Sequence, residues 1–543
     1  MLDRRYWSVV SGTVLGLGLF IGWAAVGSGP GFPLDDAWIH QTYARNLAAS
    51  GRWEYVPSAT SAGSTAPLWT LLLAAGYLLR APYFLWTYLW GGLTLLWLAW
   101  AGMRLWRNLW PEQANRDWLA GLALVFTWPL VWAAASGMET LLFAALGMTI
   151  LALYTESASL RVSESASERV GESEATIQSP ISSRWWDIGR WHIDRWNTGQ
   201  SLVIGFLSGL LILTRPEGLV LLALVALGRS LWPATIAKRV KEVVILLGAA
   251  ALPLLPYFIF NQWASGTLWP NTFYAKQTEY AALLWSPLWT RLGQLLFLSL
   301  GGPASGWRGM SSAHLLLLPG LVVAIWPAIK KEWAARRLCY VLPLLWAGGH
   351  VFLYAWRLPV TFQHGRYIMA AVPIWVLYGL AGWLLLLAGW RNGRLLWIGQ
   401  RVTGFTFAGL LLIFWLLGAQ AYASDVAFIE GEMVTVARWL AGNTSQDALV
   451  AAHDIGALGY FAQRPLLDLA GLITPEIIPL LADEAALAEY ILASSADYLV
   501  TAPGWPYERI VENSSTALIY TTDFAWTQTQ GLNNMSVYRL QSP

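Results

Sequence analysis

The chain has 543 residues, 56 % hydrophobic and 12 % charged, with a net charge of +2 and one cysteine, Cys339. Ordinary soluble domains carry roughly twice that share of charge, so a soluble enzyme is excluded, and the near-neutral balance argues against a nucleic-acid surface. A lone cysteine excludes disulfides and cysteine metal sites within one chain.

Arg4 and Arg5 precede an apolar run over 7–26. Basic residues on that flank place the N-terminus in the cytoplasm and the following loop outside. The run lacks a clear small-residue cleavage site and reads as an uncleaved anchor. Basic clusters at 104–107, 238–241, 330–337 and 391–394 belong on the cytoplasmic side. Parity holds if 67–79 is a tilted or outer-surface helix. It also requires 283–300, interrupted by Arg291 and Gln294, to be an outer-surface amphipathic helix. About eleven crossings result, each near the ~20 residues a bilayer needs.

Residues 155–200, containing SESASERVGESEA, read as a disordered cytoplasmic loop. The last span covers 402–420, and 421–543 have ordinary polarity. There, β-like runs (DALVAAHD, DYLVTA) alternate with the helical pattern PEIIPLLADEAALAEYILASS, predicting a small extracytoplasmic α/β domain. The expected fold class is a polytopic α-helical membrane protein over 1–420, with 28–82 as its first extracytoplasmic loop, followed by that α/β domain.

Asp35 and Asp36 lie in GFPLDDAWIHQTYARNLAASGRWEY. Ile39, Tyr43 and Leu47 recur at helical spacing, so the acids sit at a helix N-terminus, which favours negative charge. One carboxylate can act as general base on a hydroxyl while its neighbour holds a metal or orients the base. Helix capping is the plain alternative and accounts for one acid better than for two. Glu139, in SGMET, reaches the same face by parity. With the pair it would form an oxygen-ligand site for Mg²⁺, Mn²⁺ or Ca²⁺, with Asp36 and Glu139 as ligands; otherwise it caps the next helix.

Arg215 and Glu217, in LTRPEGL, interrupt the apolar stretch 202–227, where proline and glycine break the backbone. A guanidinium at such a break suits a phosphate, and an internal Arg–Glu pair is the alternative. WPNTFYAKQ offers Asn271, Tyr274 and Lys276, and FQHGRYIMAAVP offers His364, Arg366 and Tyr367. Cations there either bind phosphate or anchor the chain at the lipid–water boundary. His453, Asp454 and Asp468, in AHDIGALGYFAQRPLLDLAGL, are either substrate-facing or simple turn residues. No Walker loop, no strand-linked G-x-G-x-x-G and no H-E-x-x-H occurs. No nucleotide cofactor is expected, and a membrane-dissolved donor fits better.

Taken in order, LDDAWIHQTYARNLA, SAGSTAPLWTLLLA, SGMET, LTRPEG, PNTFYAK, HGRY and HDIGALGYF with LLDLAGL resemble the blocks of bacterial GT-C glycosyltransferases. The resemblance runs over residues 34–472, leaving out the serine-rich loop. It is greatest to the group around mycobacterial terminal arabinofuranosyltransferases, and looser to protein mannosyltransferases and aminoarabinose transferases. It implies a polyprenyl-phosphate sugar donor used at the outer face of the plasma membrane. The acceptor would be a hydroxyl on an envelope glycan, lipid or protein, attacked with inversion. It further implies Asp35 as the base with Asp36 beside it, Glu139 as a further acid, and Arg215, Lys276 and Arg366 around the lipid phosphate. The serine-rich insertion departs from the family pattern, and GSTAPLW matches its block only loosely. A transporter or flippase of a lipid-linked sugar is the competing reading. It would need acids within crossing helices and two related halves, and no internal repeat is seen.

Overall fold

The computed structural model describes residues 4–56, 59–156, 183–335, 337–388 and 393–540. Among these, six helices are long and apolar enough to cross a bilayer: Arg5–Gly27, Tyr83–Leu109, Ile236–Ser265, Ala313–Ala335, Gln363–Ala388 and Trp397–Asn443. A seventh crossing is available from Pro111–Val125 with Trp128–Ala135, a pair bent by 61°. Pro129 falls in the first turn of the second member, where its missing N–H leaves no bond unmade. The further crossings counted from sequence would require shorter apolar helices such as Thr140–Glu156 and Gly218–Ser230. At 1.5 Å per residue these fall short of a ~30 Å hydrocarbon core. The chain is a multi-pass membrane protein.

Of the loop expected over 155–200, residues 157–182 lie outside the described residues. From Ser183 the chain is helical, as the start of Ser183–Thr214, so that end of the expected disorder is corrected. The break at Arg215–Glu217 appears as expected, between Ser183–Thr214 and Gly218–Ser230. Helix crossings use small residues. A Cβ on Gly382 would stand 1.7 Å from the Gly320 carbonyl oxygen, so only hydrogen at that position lets the two backbones touch.

The acid pair opens the helix Asp35–Ser50, whose N-cap position is Leu34 with no side-chain cap bond. The acids are therefore not caps. Trp38 on this first-loop helix packs against Tyr460 and Phe461 of the terminal domain, with ring centroids 4.9 and 4.7 Å apart.

The terminal domain is built on a five-stranded mixed sheet, in spatial order Leu466–Asp468, Val450–Ala452, Tyr498–Thr501, Ser536–Leu540 and Thr516–Thr521. The first three strands are parallel and the remaining pairings antiparallel. The helix Gly393–Phe428 runs on through a π turn at Ile429–Val434 into Thr435–Asn443, so the domain is carried on a continuous helical stem. Buried Glu432 in the π turn accepts from Thr522, Thr527, Asn534 and the Met535 N–H. That concentration of charge-assisted bonds fixes the stem to the sheet.

Candidate active site

Successive helical side chains diverge by about 100°, and the two acids leave their helix toward different neighbours. The Asp35 carboxylate accepts the N–H of Gly456 at 2.6 Å and of Ala457 at 2.7 Å. A Cβ on Gly456 would lie 2.0 Å from the Asp35 carbonyl oxygen, so glycine is what permits this approach. Burial and then the Asp454 charge push the Asp35 carboxyl upward, against those two donors.

Asp36 faces a cavity of about 190 Å³. It forms a short ion pair with Arg366 and a longer one, 3.5 Å, with Lys276. Burial alone would raise its pKa, but Lys276 and Arg366 outweigh burial and hold it well below the usual carboxylate range. Burial acts to lower Lys276 in turn, and Asp36 reverses this, so its ammonium is raised.

A second network meets the same cavity. Glu139 lies 3.4 Å from Arg215 and 3.3 Å from His40. Arg215 also reaches Glu217 at 3.6 Å and donates to Tyr354 at 3.1 Å, and the Tyr354 hydroxyl donates to Glu217 at 2.5 Å. Tyr367 joins the two networks. Its hydroxyl accepts from Lys276 at 3.1 Å and Arg366 at 3.0 Å, and its ring faces the Arg215 guanidinium at 5.0 Å. Four cations, Arg215, Lys276, Arg357 and Arg366, and three carboxylates, Asp36, Glu139 and Glu217, thus line one cavity. Yet Nε and Nη1 of Arg366 are buried with no acceptor. Unsatisfied buried donors cost about 1–3 kcal/mol each, and free guanidinium N–H groups beside a cavity suit an oxyanion.

Arg366 follows a tight turn in which Gln363, His364 and Gly365 all have left-handed φ, 55°, 56° and 70°. For the two non-glycine residues this costs on the order of 1–3 kcal/mol each. The turn sends His364 away from Arg366. His364 Nε2 lies 2.8 Å from Asp425, its ring stands 5.1 and 5.2 Å from Trp128 and Trp132, and both His364 and Asp425 line a different cavity. The expectation that His364 binds donor phosphate is corrected: its ring nitrogen is committed to Asp425.

Other expected residues divide in the same way. Arg215, Glu217, Lys276, Arg366, Asp36 and Glu139 line the cavity, whereas Asp35, Asn271, Tyr274, His453 and Asp454 do not. Asn271 is buried and tied to Leu472 O and Ala62 O, so it shapes the wall rather than facing substrate. His453 bridges Tyr507 at 3.1 Å and Glu279 at 3.5 Å. Asp454 lies beside it, within electrostatic reach of Asp36 and Lys276. Asp468 is buried on its own backbone, accepting from Ala470 and Ile473. The expected Asp36–Glu139 metal site is not assembled, because each carboxylate already faces its own cations. Among the described residues no group of three acidic, histidine or cysteine side chains could hold a metal ion.

Sequence reading missed His40, Tyr354 and Arg357, all in the cavity wall. His40 stands one helical turn after Asp36 and could have been found from that spacing. Tyr354 and Arg357 stand three apart near the end of an apolar helix, where polar side chains in an apolar segment mark a candidate site.

The fold is a helical membrane bundle with a first-loop acid on a cation-lined cavity and a small α/β domain on a helical stem. The solved structures similar to this chain have that fold. ArnT from Cupriavidus metallidurans bound to undecaprenyl phosphate has a TM-score of 0.52 at 15 % identity, covering 98 % of this chain and 97 % of that one. The archaeal oligosaccharyltransferase AglB from Archaeoglobus fulgidus, in complex with an inhibitory peptide and a dolichol-phosphate, has a TM-score of 0.56 at 10 % identity, covering 92 % and 70 %. The Archaeoglobus fulgidus oligosaccharyltransferase in complex with Zn and sulfate has a TM-score of 0.55 at 12 % identity, covering 91 % and 67 %. At these identities the likeness is one of fold. Residues 420–538 match a family model described as a domain of unknown function, DUF8728. Among curated protein sequences none matches significantly.

Proposed function

We propose that this protein transfers a sugar from a polyprenyl-phosphate donor to an acceptor hydroxyl at the outer face of the plasma membrane, with the N-terminus in the cytoplasm. The observation carrying this reading is the pair of buried, acceptor-less N–H groups on Arg366, in one cavity with Lys276 and Arg215. The donor phosphate enters there. Arg366 grips it through two N–H groups, Lys276 and Arg215 add charge, and Tyr367 keeps the three cations in register. Neutralising charge as it develops on the leaving group is the largest single contribution such a site can make.

Asp36 is the carboxylate placed to act as base. While Arg366 and Lys276 pair with it, it is too acidic to take a proton. A bound phosphate draws both cations toward itself, and Asp36 becomes more basic as substrate arrives. The acceptor oxygen then attacks the anomeric carbon and its proton passes to Asp36. The bond from anomeric carbon to phosphate oxygen breaks, with its electron pair going to the phosphate. A single displacement inverts the anomeric centre. Asp35, saturated by two backbone donors, positions the helix and does not serve as the base. Charge neutralisation rests on the fixed cations, since Asp36 and Glu139 are each already paired.

Purified protein given a radiolabelled polyprenyl-phosphate sugar and a mixture of envelope glycans, lipids and proteins tests the reading. Label should move to an acceptor with inverted configuration. Label crossing the membrane while still on its lipid, or no reaction with any acceptor, overturns it.

A further inference from the structure

The turn that carries Arg366 has a second face. Gln363 and His364 hold left-handed φ of 55° and 56°, a strained conformation that persists only where its surroundings enforce it and that recurs where proteins clamp a ligand. Arg366 lines the donor cavity, while Gln363 and His364 line a separate one of about 310 Å³. The two cavities meet across this one turn of chain.

Their chemistry differs. Among the described residues no lysine or arginine lines the second cavity, so a phosphate or other anion finds no counter-charge there. Asp425 Oδ2 accepts from Trp132 Nε1 at 2.9 Å and from His364 Nε2 at 2.8 Å. Asp425 Oδ1, His364 Nδ1 and the Gln363 amide are left with no hydrogen-bond partner among the described residues. The His364 and Asp425 side chains keep 28 % and 33 % of their surface accessible, so a molecule in the cavity reaches them. Trp128 and Phe362 add aromatic surface to the wall, and the Phe362 ring is half exposed.

A sugar hydroxyl both donates and accepts, which suits a carboxylate oxygen, a ring nitrogen and an amide that are all unspent. The C–H face of a sugar ring packs on aromatic surface, and a few placed polar groups in an apolar wall fix its orientation. We propose that this cavity holds a neutral saccharide unit of the acceptor, with Asp425, His364 and Gln363 taking its hydroxyls, so that the acceptor is a glycan. The role of that saccharide rests on the transfer reading above; its binding does not.

Full-length protein in detergent is titrated with a panel of neutral pentose and hexose oligosaccharides, read by saturation-transfer NMR. A mixed peptide pool and undecaprenyl phosphate are titrated in parallel. Wild type should bind at least one oligosaccharide at millimolar concentration and no peptide. Gln363→Ala and Phe362→Ala, both at exposed positions, should each weaken that binding by about tenfold. Their Tm and their affinity for undecaprenyl phosphate should not change, whereas a merely structural role would move Tm. Oligosaccharide binding retained in both variants overturns the proposal, as does peptide bound in place of saccharide, or no oligosaccharide bound by wild type. Binding is read without turnover, so undecaprenyl phosphate held equally well by Arg366→Gln would strike the donor reading and leave this one standing.

Discussion

On the terminal-domain side of the first-loop helix, the Asp35 carboxylate meets two backbone N–H groups at 2.6 and 2.7 Å. Nearby, Arg45 donates to the carbonyls of Tyr460 and Gly459, and Tyr55 donates to that of Ile455. On the cavity side, one residue further along, Asp36 meets side-chain cations, and Arg366 keeps two N–H groups with no acceptor. In the first region the Asp35 carboxylate and the Arg45 and Tyr55 donors all find backbone partners within the protein. In the second, two N–H groups of Arg366 find no acceptor within the protein. On the proposed reading, saturation separates Asp35, which holds the fold, from Asp36, which acts on substrate.

The sharpest break in this contrast should come from Arg366→Gln, which removes the main phosphate donor. Transfer should fall by about 10²–10³-fold, with weaker binding of undecaprenyl phosphate measured directly. Asp36→Asn should cost about 10²–10⁴-fold in turnover, yet donor phosphate should bind at least as tightly, because it no longer competes with a carboxylate for Lys276 and Arg366. Weaker phosphate binding in that variant would assign Asp36 to the donor instead. Asp35→Asn should act on the other side. It should lower stability by about 1–3 kcal/mol by weakening two buried bonds and keep turnover within about tenfold of wild type, read by thermal melting and assay together. An Asp35 variant that is folded but inactive would return the role of base to Asp35.

Chelation sharpens the same contrast. With fixed cations holding the phosphate, donor binding should persist after divalent ions are removed. A loss that added Mg²⁺ restores would place a metal on Asp36.

The smallest effect expected is on pH dependence at the seam between domain and membrane bundle. Burial opposes protonation of His453, but its bond to Glu279 prevails and lifts it from 6.5 to about 9. A raised pKa means that the pair contributes fully below about 6.5 and that its contribution is lost as pH rises through about 9. Wild-type Tm should therefore decline over that window, and His453→Gln should flatten the decline.

Much of the site was legible before any coordinates. The break at Arg215–Pro216, Lys276 after PNTFYA, and Arg366 in HGRY are charges placed where an apolar chain must break or leave the membrane, and all three reach one cavity. His364 was misread because proximity in sequence suggested proximity in space. Three consecutive left-handed residues turn it toward Asp425 instead. The partners of Asp35 were hidden for a related reason: Gly456 and Ala457 are over 400 residues away.

The sequence by itself determined the medium and the ingredients: blocks of apolar residues that suit a bilayer, and a small set of charges at the breaks between them. These are local properties, because each segment answers to the solvent around it. Tertiary structure alone decided which way each charge faces. That depends on the rotation of one helix against partners far along the chain, and one residue of rotation separates a carboxylate locked to a backbone loop from one set among side-chain cations.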